Sequence, residues 1–154
     1  MKLSFKFVSR LFALAMFSLI QTICSVGIVS AQTPPQTQSS QRNRIVFQVS
    51  EADPAKWNLT LNNVKNVQDD LGAKNVDIEI VAYGPGLAML KLDSVVSNKI
   101  GDAIASGVSV LACENTMKVQ KLTRDDMASK LGYVPAGVVQ LMTRQQQGWA
   151  YIRP

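Results

Sequence analysis

Three β-branched apolar runs recur along this chain, Arg44-Ile45-Val46-Phe47-Gln48-Val49-Ser50, Val76 to Tyr83 and Val108 to Ala112, and helical stretches separate them. Strands that alternate with helices over short connections are joined as parallel crossovers, and a sheet built that way needs helices on both faces. The alternation therefore predicts an α/β domain with a mostly parallel sheet. Tyr133-Val134 and Trp149-Ala150-Tyr151-Ile152 add two shorter strand signals, which brings the sheet to about five strands.

Local signals bound the helices. Asp53 offers an N-cap with Pro54 at the first helical position, and Trp57, Leu61, Val64, Gln68 and Leu71 follow at helical spacing, with Val67 alongside, until Gly72 stops the run. Leu87 to Asp93 and Ser97 to Ser106 read as a helical region broken at Val95-Val96 and closed by Gly107. Thr123-Arg124-Asp125-Asp126 has the form of a capping box and predicts a helix ended by Gly132. Gly137 to Gln147 carries Val138, Leu141 and Met142 on one face and is stopped by Gly148.

The N-terminus has the layout of an export signal. Lys2, Lys6 and Arg10 form a basic start, no charge occurs from Leu11 to Ala31, and Val29-Ser30-Ala31 supplies small residues before a cut at Gln32. Ile23 ahead of Cys24 is a poor fit to lipidation, so Cys24 leaves with residues 1–31. The alternative is an uncleaved anchor, because 21 uncharged residues just span a bilayer, although Gln21, Thr22, Ser25 and Ser30 weaken it. Residues 32–43 are polar and Pro-containing, too poor in apolar side chains to offset their ordering entropy, and read as a flexible linker. The 111 residues from Arg44 to Pro154 make one domain without internal repeat. The expected location is periplasmic or secreted.

Export alters the charge balance. The chain carries +5, but three of its basic residues lie in the signal, which leaves +2 on scattered Lys, Arg, Asp and Glu. No basic stripe exists for phosphate neutralisation, so nucleic acid is not an expected partner, and a membrane is one only through the signal segment. The absence of histidine excludes Ser-His-Asp and Cys-His catalysis and the usual zinc sites. The one cysteine of the mature chain makes no CxxC pair, the acidic residues nominate no dyad, and Gly84-x-Gly86 lacks both the third glycine of a dinucleotide fingerprint and a phosphate-loop lysine. Neither a metal nor a cofactor is expected.

Once the signal is removed, Cys113 is the remaining thiol, and it stands at the carboxyl end of the third strand, the edge where open α/β sheets build sites. A thiolate attacks sulfur donors, and a helix start near Asn115 or Thr116, together with Lys118, would favour that form. Glu114 opposes it unless its carboxylate points elsewhere. The competing reading is a buried cysteine acting as a small hydrophobe. At the end of the neighbouring strand, Gly84-Pro85-Gly86 is either a backbone cradle for a small anion or a tight turn. Asn58 and Asn62 share one helix face and offer amides to the same edge or to a subunit contact, unless they are simply solvated; Asn63 points elsewhere. Asn58-Leu59-Thr60 matches a glycosylation sequon, but a helix interior is a poor acceptor.

Trp57-Asn58-Leu59-Thr60-Leu61-Asn62-Asn63-Val64, Tyr83-Gly84-Pro85-Gly86-Leu87, Ala112-Cys113-Glu114-Asn115-Thr116-Met117-Lys118 and Gly148-Trp149-Ala150-Tyr151-Ile152-Arg153-Pro154 together resemble the DsrE/DsrF-like family. The resemblance implies a flavodoxin-like three-layer α/β/α domain, assembled as a homotrimer or hexamer. It further implies relay of sulfur through a cysteine persulfide, with Cys113 as the carrier cysteine and donor and acceptor proteins as partners. The better-understood relays are cytoplasmic, whereas this chain begins with an export signal. Gly84, Gly86, Asn115, Thr116, Lys118, Asn58 and Asn62 are the candidate substrate-binding residues, and the activity implied is that of a sulfurtransferase or sulfur carrier. The alternative is a non-catalytic oligomeric module that binds a small anion or a protein, with Cys113 buried and structural.

Overall fold

Residues 42–154 are described by a computed structural model, and the expected signal segment and the linker up to Gln41 lie outside the described residues. Two long strands form the centre, β1 (Asn43–Val49) and β2 (Val76–Ala82), paired in parallel from Asn43 with Val76 to Val49 with Ala82. β3 (Ser109–Cys113) and then β4 (Gly132–Val134) extend the sheet beyond β2, and β5 (Ala150–Ile152) pairs with the other side of β1. The order is β4-β3-β2-β1-β5 and every pairing is parallel. Both edge strands have only three residues.

That order explains the layers. The first three crossovers all step the same way and the last returns across the sheet, so right-handed connections place the former on one face and the latter on the other. Helices α1 (Pro54–Leu71), α2 (Ser97–Ala105) and α3 (Glu114–Gln120), with a 3₁₀ segment at Gly84–Leu90, belong to the first face. Their side chains meet Phe47, Ile78, Ile80, Ala82 and Val110 in the main core. On the opposite face α4 (Gly137–Gln146) sets Leu141 against Val46 and Val81. The result is the flavodoxin-like three-layer α/β/α arrangement that the sequence predicts, with one layer much thinner than the other.

The expected caps position these elements. Asp53 accepts from the Ala55 amide at 2.8 Å, and Gly72 ends α1 by donating to the Gln68 carbonyl at 2.9 Å. Trp57, Thr60, Leu61 and Val64 form the buried face of α1, while Leu71 lies exposed in its last turn. Phe47, Ile80, Leu87, Met89, Leu90 and Ile100 are fully buried, each worth about 1.5–3 kcal/mol relative to exposure. Gly86 is part of this packing, because a Cβ there would lie 2.4 Å from the Val49 carbonyl oxygen.

One helix predicted from sequence is a single turn. The Thr123–Asp126 capping box forms, but it caps a 3₁₀ turn at Arg124–Asp126 and the chain then becomes extended. The bonds that would have continued a helix go instead to the 3₁₀ region, with Leu92 donating to Asp126 and Ala128 to Leu90, both at 2.9 Å. Met127 is drawn into the core by this exchange.

α4 is held differently from the other helices. It buries only Gly137 and Leu141, while Val138, Val139 and Met142 stay exposed. Glu79 of β2, its side chain 3% exposed, accepts from Arg144 Nε and Nη2 at 3.0 and 2.8 Å and from Gln140 Nε2 at 2.8 Å. The Arg144 guanidinium also lies 4.6 Å from the Trp149 ring centroid. A second polar cluster ties β5 to β1: Tyr151 donates to Gln48, and Glu51 engages Arg153 and Lys56. Among the described residues no helix is long and apolar enough to cross a membrane.

Candidate functional site

β3 ends at Cys113, which is still extended and serves as the N-cap of α3. Side chains alternate along a strand, so with Ala112 in the main core, Cys113 shares the α4 face with Leu111. There the Gly137 amide, the first of α4, donates to Cys113 Sγ at 3.3 Å. The approach requires glycine, since a Cβ at 137 would lie 2.9 Å from Tyr83 Cβ. The thiol faces the Pro135 carbonyl at 4.0 Å, and the Asn115 amide donates to the same carbonyl at 3.1 Å, pinning the β4–α4 loop to the start of α3.

Thr116 completes the surroundings. Its hydroxyl accepts from the Gly84 amide at 3.0 Å. Burial pushes the thiol pKa up, but the Thr116 hydroxyl and the amides of Gly137, Thr116 and Asn115 outweigh it and hold the thiol below its ordinary value. Glu114, the residue that argued against a thiolate, turns outward to Arg124 at 3.2 Å, and Arg124 in turn lies over the Tyr133 ring. The groups that lower the thiol pKa are fixed dipoles rather than a neighbouring ammonium. Lys118 is exposed in the last turn of α3 and is not among the hydrogen-bond partners of Cys113.

The other candidates fall into two groups. Gly84, Asn115 and Thr116 line a shallow cavity of about 370 Å³ with Pro85, Val119 and Gln120. The Gly-Pro-Gly turn is docked on α3 rather than open, since Thr116 takes the Gly84 amide and Gln120 donates to the Gly84 carbonyl at 3.1 Å. Gly86 lies beneath the turn, against β1. Asn58 and Asn62 belong to another surface: Asn58 bonds Pro54 and Lys99, and Asn62 lines a groove between α1 and α2. Gly137 and Pro135, which touch the sulfur, carry no local signal in the sequence.

Cys113 is only 4% exposed, while Asn115 and Pro135 beside it are exposed. Among the described residues no group of His, Cys, Asp and Glu is arranged to hold a metal ion.

Known proteins agree with this architecture. A protein of unknown function from Methanobacterium thermoautotrophicum is similar in structure, with a TM-score of 0.69 and 38% identity, over 73% of this chain and 99% of that one. A conserved protein of unknown function from Bacteroides thetaiotaomicron shares the fold at a TM-score of 0.61 and 13% identity, over 75% of this chain and 98% of that one. No curated protein matches. The family model that matches spans residues 25–154, covering the strands, the Gly-Pro-Gly turn and Cys113 alike, and the chain belongs to the DsrE/DsrF-like family.

Proposed function

We propose that Cys113 receives sulfane sulfur as a persulfide and passes it to an acceptor thiol. The observation that carries this reading is the Gly137 amide aimed at Cys113 Sγ, joined by the Thr116 hydroxyl, in a site where Glu114 is neutralised by Arg124. Membership of a family of sulfur-relay type supports it. The Cys113 thiolate attacks the outer sulfur of a donor persulfide, forming Cys113–S–SH and releasing the donor as its thiolate. An acceptor thiolate then attacks that outer sulfur, its bond to Cys113 breaks, and the Cys113 thiolate returns. Each exchange conserves oxidation level, so no redox cofactor enters. The added sulfur extends about 2 Å beyond Sγ, which carries the reacting atom outward from a buried position.

The test is intact mass and acceptor labelling after incubation with a sulfane donor, for wild type and Cys113→Ser. Wild type should gain one sulfur and transfer it, and the serine variant should do neither. A wild-type protein that gains no sulfur sinks the relay. The burial of Cys113 favours a second reading, a non-catalytic module that binds a small anion or a protein, and gain without transfer would support it.

Two further proposals accompany this one. The basic start, apolar stretch and Val29-Ser30-Ala31 support export with cleavage before Gln32, which N-terminal sequencing of the exported protein tests. The exposed Val138, Val139, Met142 and Tyr151 on the thinly covered face support a homotrimer or hexamer. Light scattering that finds a stable monomer at high micromolar concentration would reject it.

A further inference from the structure

Glu79 is the one charged residue that is buried among the described residues, and no step of sulfur exchange uses it. A carboxylate in that position loses its hydration, so its ion pair is weak evidence for stability and the geometry it imposes is the feature to follow. What it imposes is the placement of α4. The helix buries a single apolar side chain, Leu141, so apolar packing alone leaves its register loosely defined. It meets β2 and its extension at two points instead. Near its N-terminus Gly137 is pressed against Tyr83, and further along Gln140 and Arg144 close on Glu79.

The two spans are comparable, and the long Arg144 side chain covers the difference between them. Glu79 and Tyr83 are four residues apart on one side of an extended chain, about 13 Å. Gly137 and Arg144 are about 10 Å apart along the helix. A helix fixed at both points cannot slide along its axis without breaking one of them. Its first amide is the one that donates to Cys113 Sγ.

We infer that Glu79 is a positioning residue for the Cys113 thiol: by gripping Gln140 and Arg144 it fixes α4 in the register that aims the Gly137 amide at the sulfur. The inference rests on the reading of Cys113 as a reactive thiol, but it concerns the acidity of that thiol rather than the fate of any sulfur it carries.

Charge and position act in opposite directions here, which makes the inference testable. Removing an anion lowers a nearby thiol pKa by its field alone, whereas withdrawing the Gly137 amide raises it. The other charged groups near the site are Glu114 and Arg124, paired with each other, and the exposed Lys118; β3, the Val134–Ala136 loop and the Gly84–Pro85 turn contribute none. None of them changes in the variants below.

The experiment titrates Cys113 in the full chain through the pH dependence of its alkylation rate, for wild type, Glu79→Gln and the paired exchange Glu79→Leu with Arg144→Met. The paired exchange removes the latch without a change in net charge. Both should fold, by circular dichroism, and show a thiol pKa raised by about one unit, a roughly tenfold loss of thiolate at neutral pH. Restoring the latch partly with Arg144→Lys alone should give a smaller rise. A folded variant of either kind with an unchanged or lowered pKa overturns the inference. Should both fail to fold, Gln140→Leu removes one bond and leaves the ion pair; a raised pKa there supports positioning, and an unchanged one overturns it. Sulfur gain is measured separately on wild type, so failure of the relay is distinguishable from failure of this coupling.

Discussion

Gly137→Ala is the sharpest single perturbation of the thiol. The new methyl would lie 2.9 Å from Tyr83 Cβ and 3.2 Å from its Cγ and Cδ1, where ordinary contact begins near 3.4 Å. Relief requires α4 to retreat by about 0.5 Å, and because Tyr83 Cβ is fixed to the backbone, side-chain rotation cannot supply it. The amide, now 3.3 Å from Sγ, moves with the helix. A hydrogen bond to a charged group is worth about 1.5–3 kcal/mol, equivalent to one to two pKa units, and a partial stretch gives up part of that. The expected result is a thiol pKa raised by about one unit, together with about 1–3 kcal/mol of overpacking strain. Alkylation rate against pH reads the first and a thermal melt the second. Tyr83→Gly removes the three atoms nearest the methyl, so the double variant should return the thiol toward its original acidity. A folded Gly137→Ala protein whose Cys113 titrates as in wild type would refute the claim that this amide activates the sulfur.

Three other outcomes follow from the geometry. Thr116→Val keeps shape but removes a hydroxyl that lowers the thiol pKa, so the Cys113 pKa should rise while Thr116→Ser stays near wild type; equal titration curves for all three would exclude the hydroxyl. Gly86→Ala forces a methyl to within 2.4–2.8 Å of the backbone at Val49 and Ser50, where β1 ends, and should cost about 3 kcal/mol or more in denaturant unfolding; a loss below about 1 kcal/mol would be inconsistent with the close approach. Glu51 has its pKa lowered from 4.5 to about 2, chiefly by the hydrogen bond from Arg153. A depressed carboxylate contributes stability in full above its unfolded pKa and loses it as pH falls through the folded value, so Glu51→Gln should flatten the acid side of the melting-temperature profile between about pH 4.5 and 2. Parallel wild-type and variant profiles across that window would contradict it.

The elements written into neighbouring residues were legible before the structure. Asp53 and Pro54 start α1, Gly72 ends it, and β-branched runs mark β1, β2 and β3, because caps and period-2 burial are decided within a few residues. Cys113 at a strand end was legible for the same reason. The hydrogen bond to its sulfur was not, since the Gly137 amide lies 24 residues away and its glycine is explained only by the ring of Tyr83. The Glu79 latch spans 61 and 65 residues to Gln140 and Arg144, a separation at which no local pattern survives. Thr123–Asp126 misled in the opposite sense: the capping box is real, but the bonds that Leu92 and Ala128 exchange with Asp126 and Leu90 end the helix after one turn.

The three-residue strands at either edge have a consequence for solubility. Unpaired backbone amides and carbonyls along a long, flat edge act as a template for another chain, the common start of strand-to-strand aggregation. Here the seven-residue strands are interior, and the sheet tapers to β4 and β5, which present only short stretches of free backbone. Lengthening either rim, for example by a tag that continues the extended run beyond Ile152, would recreate the long edge that the taper avoids.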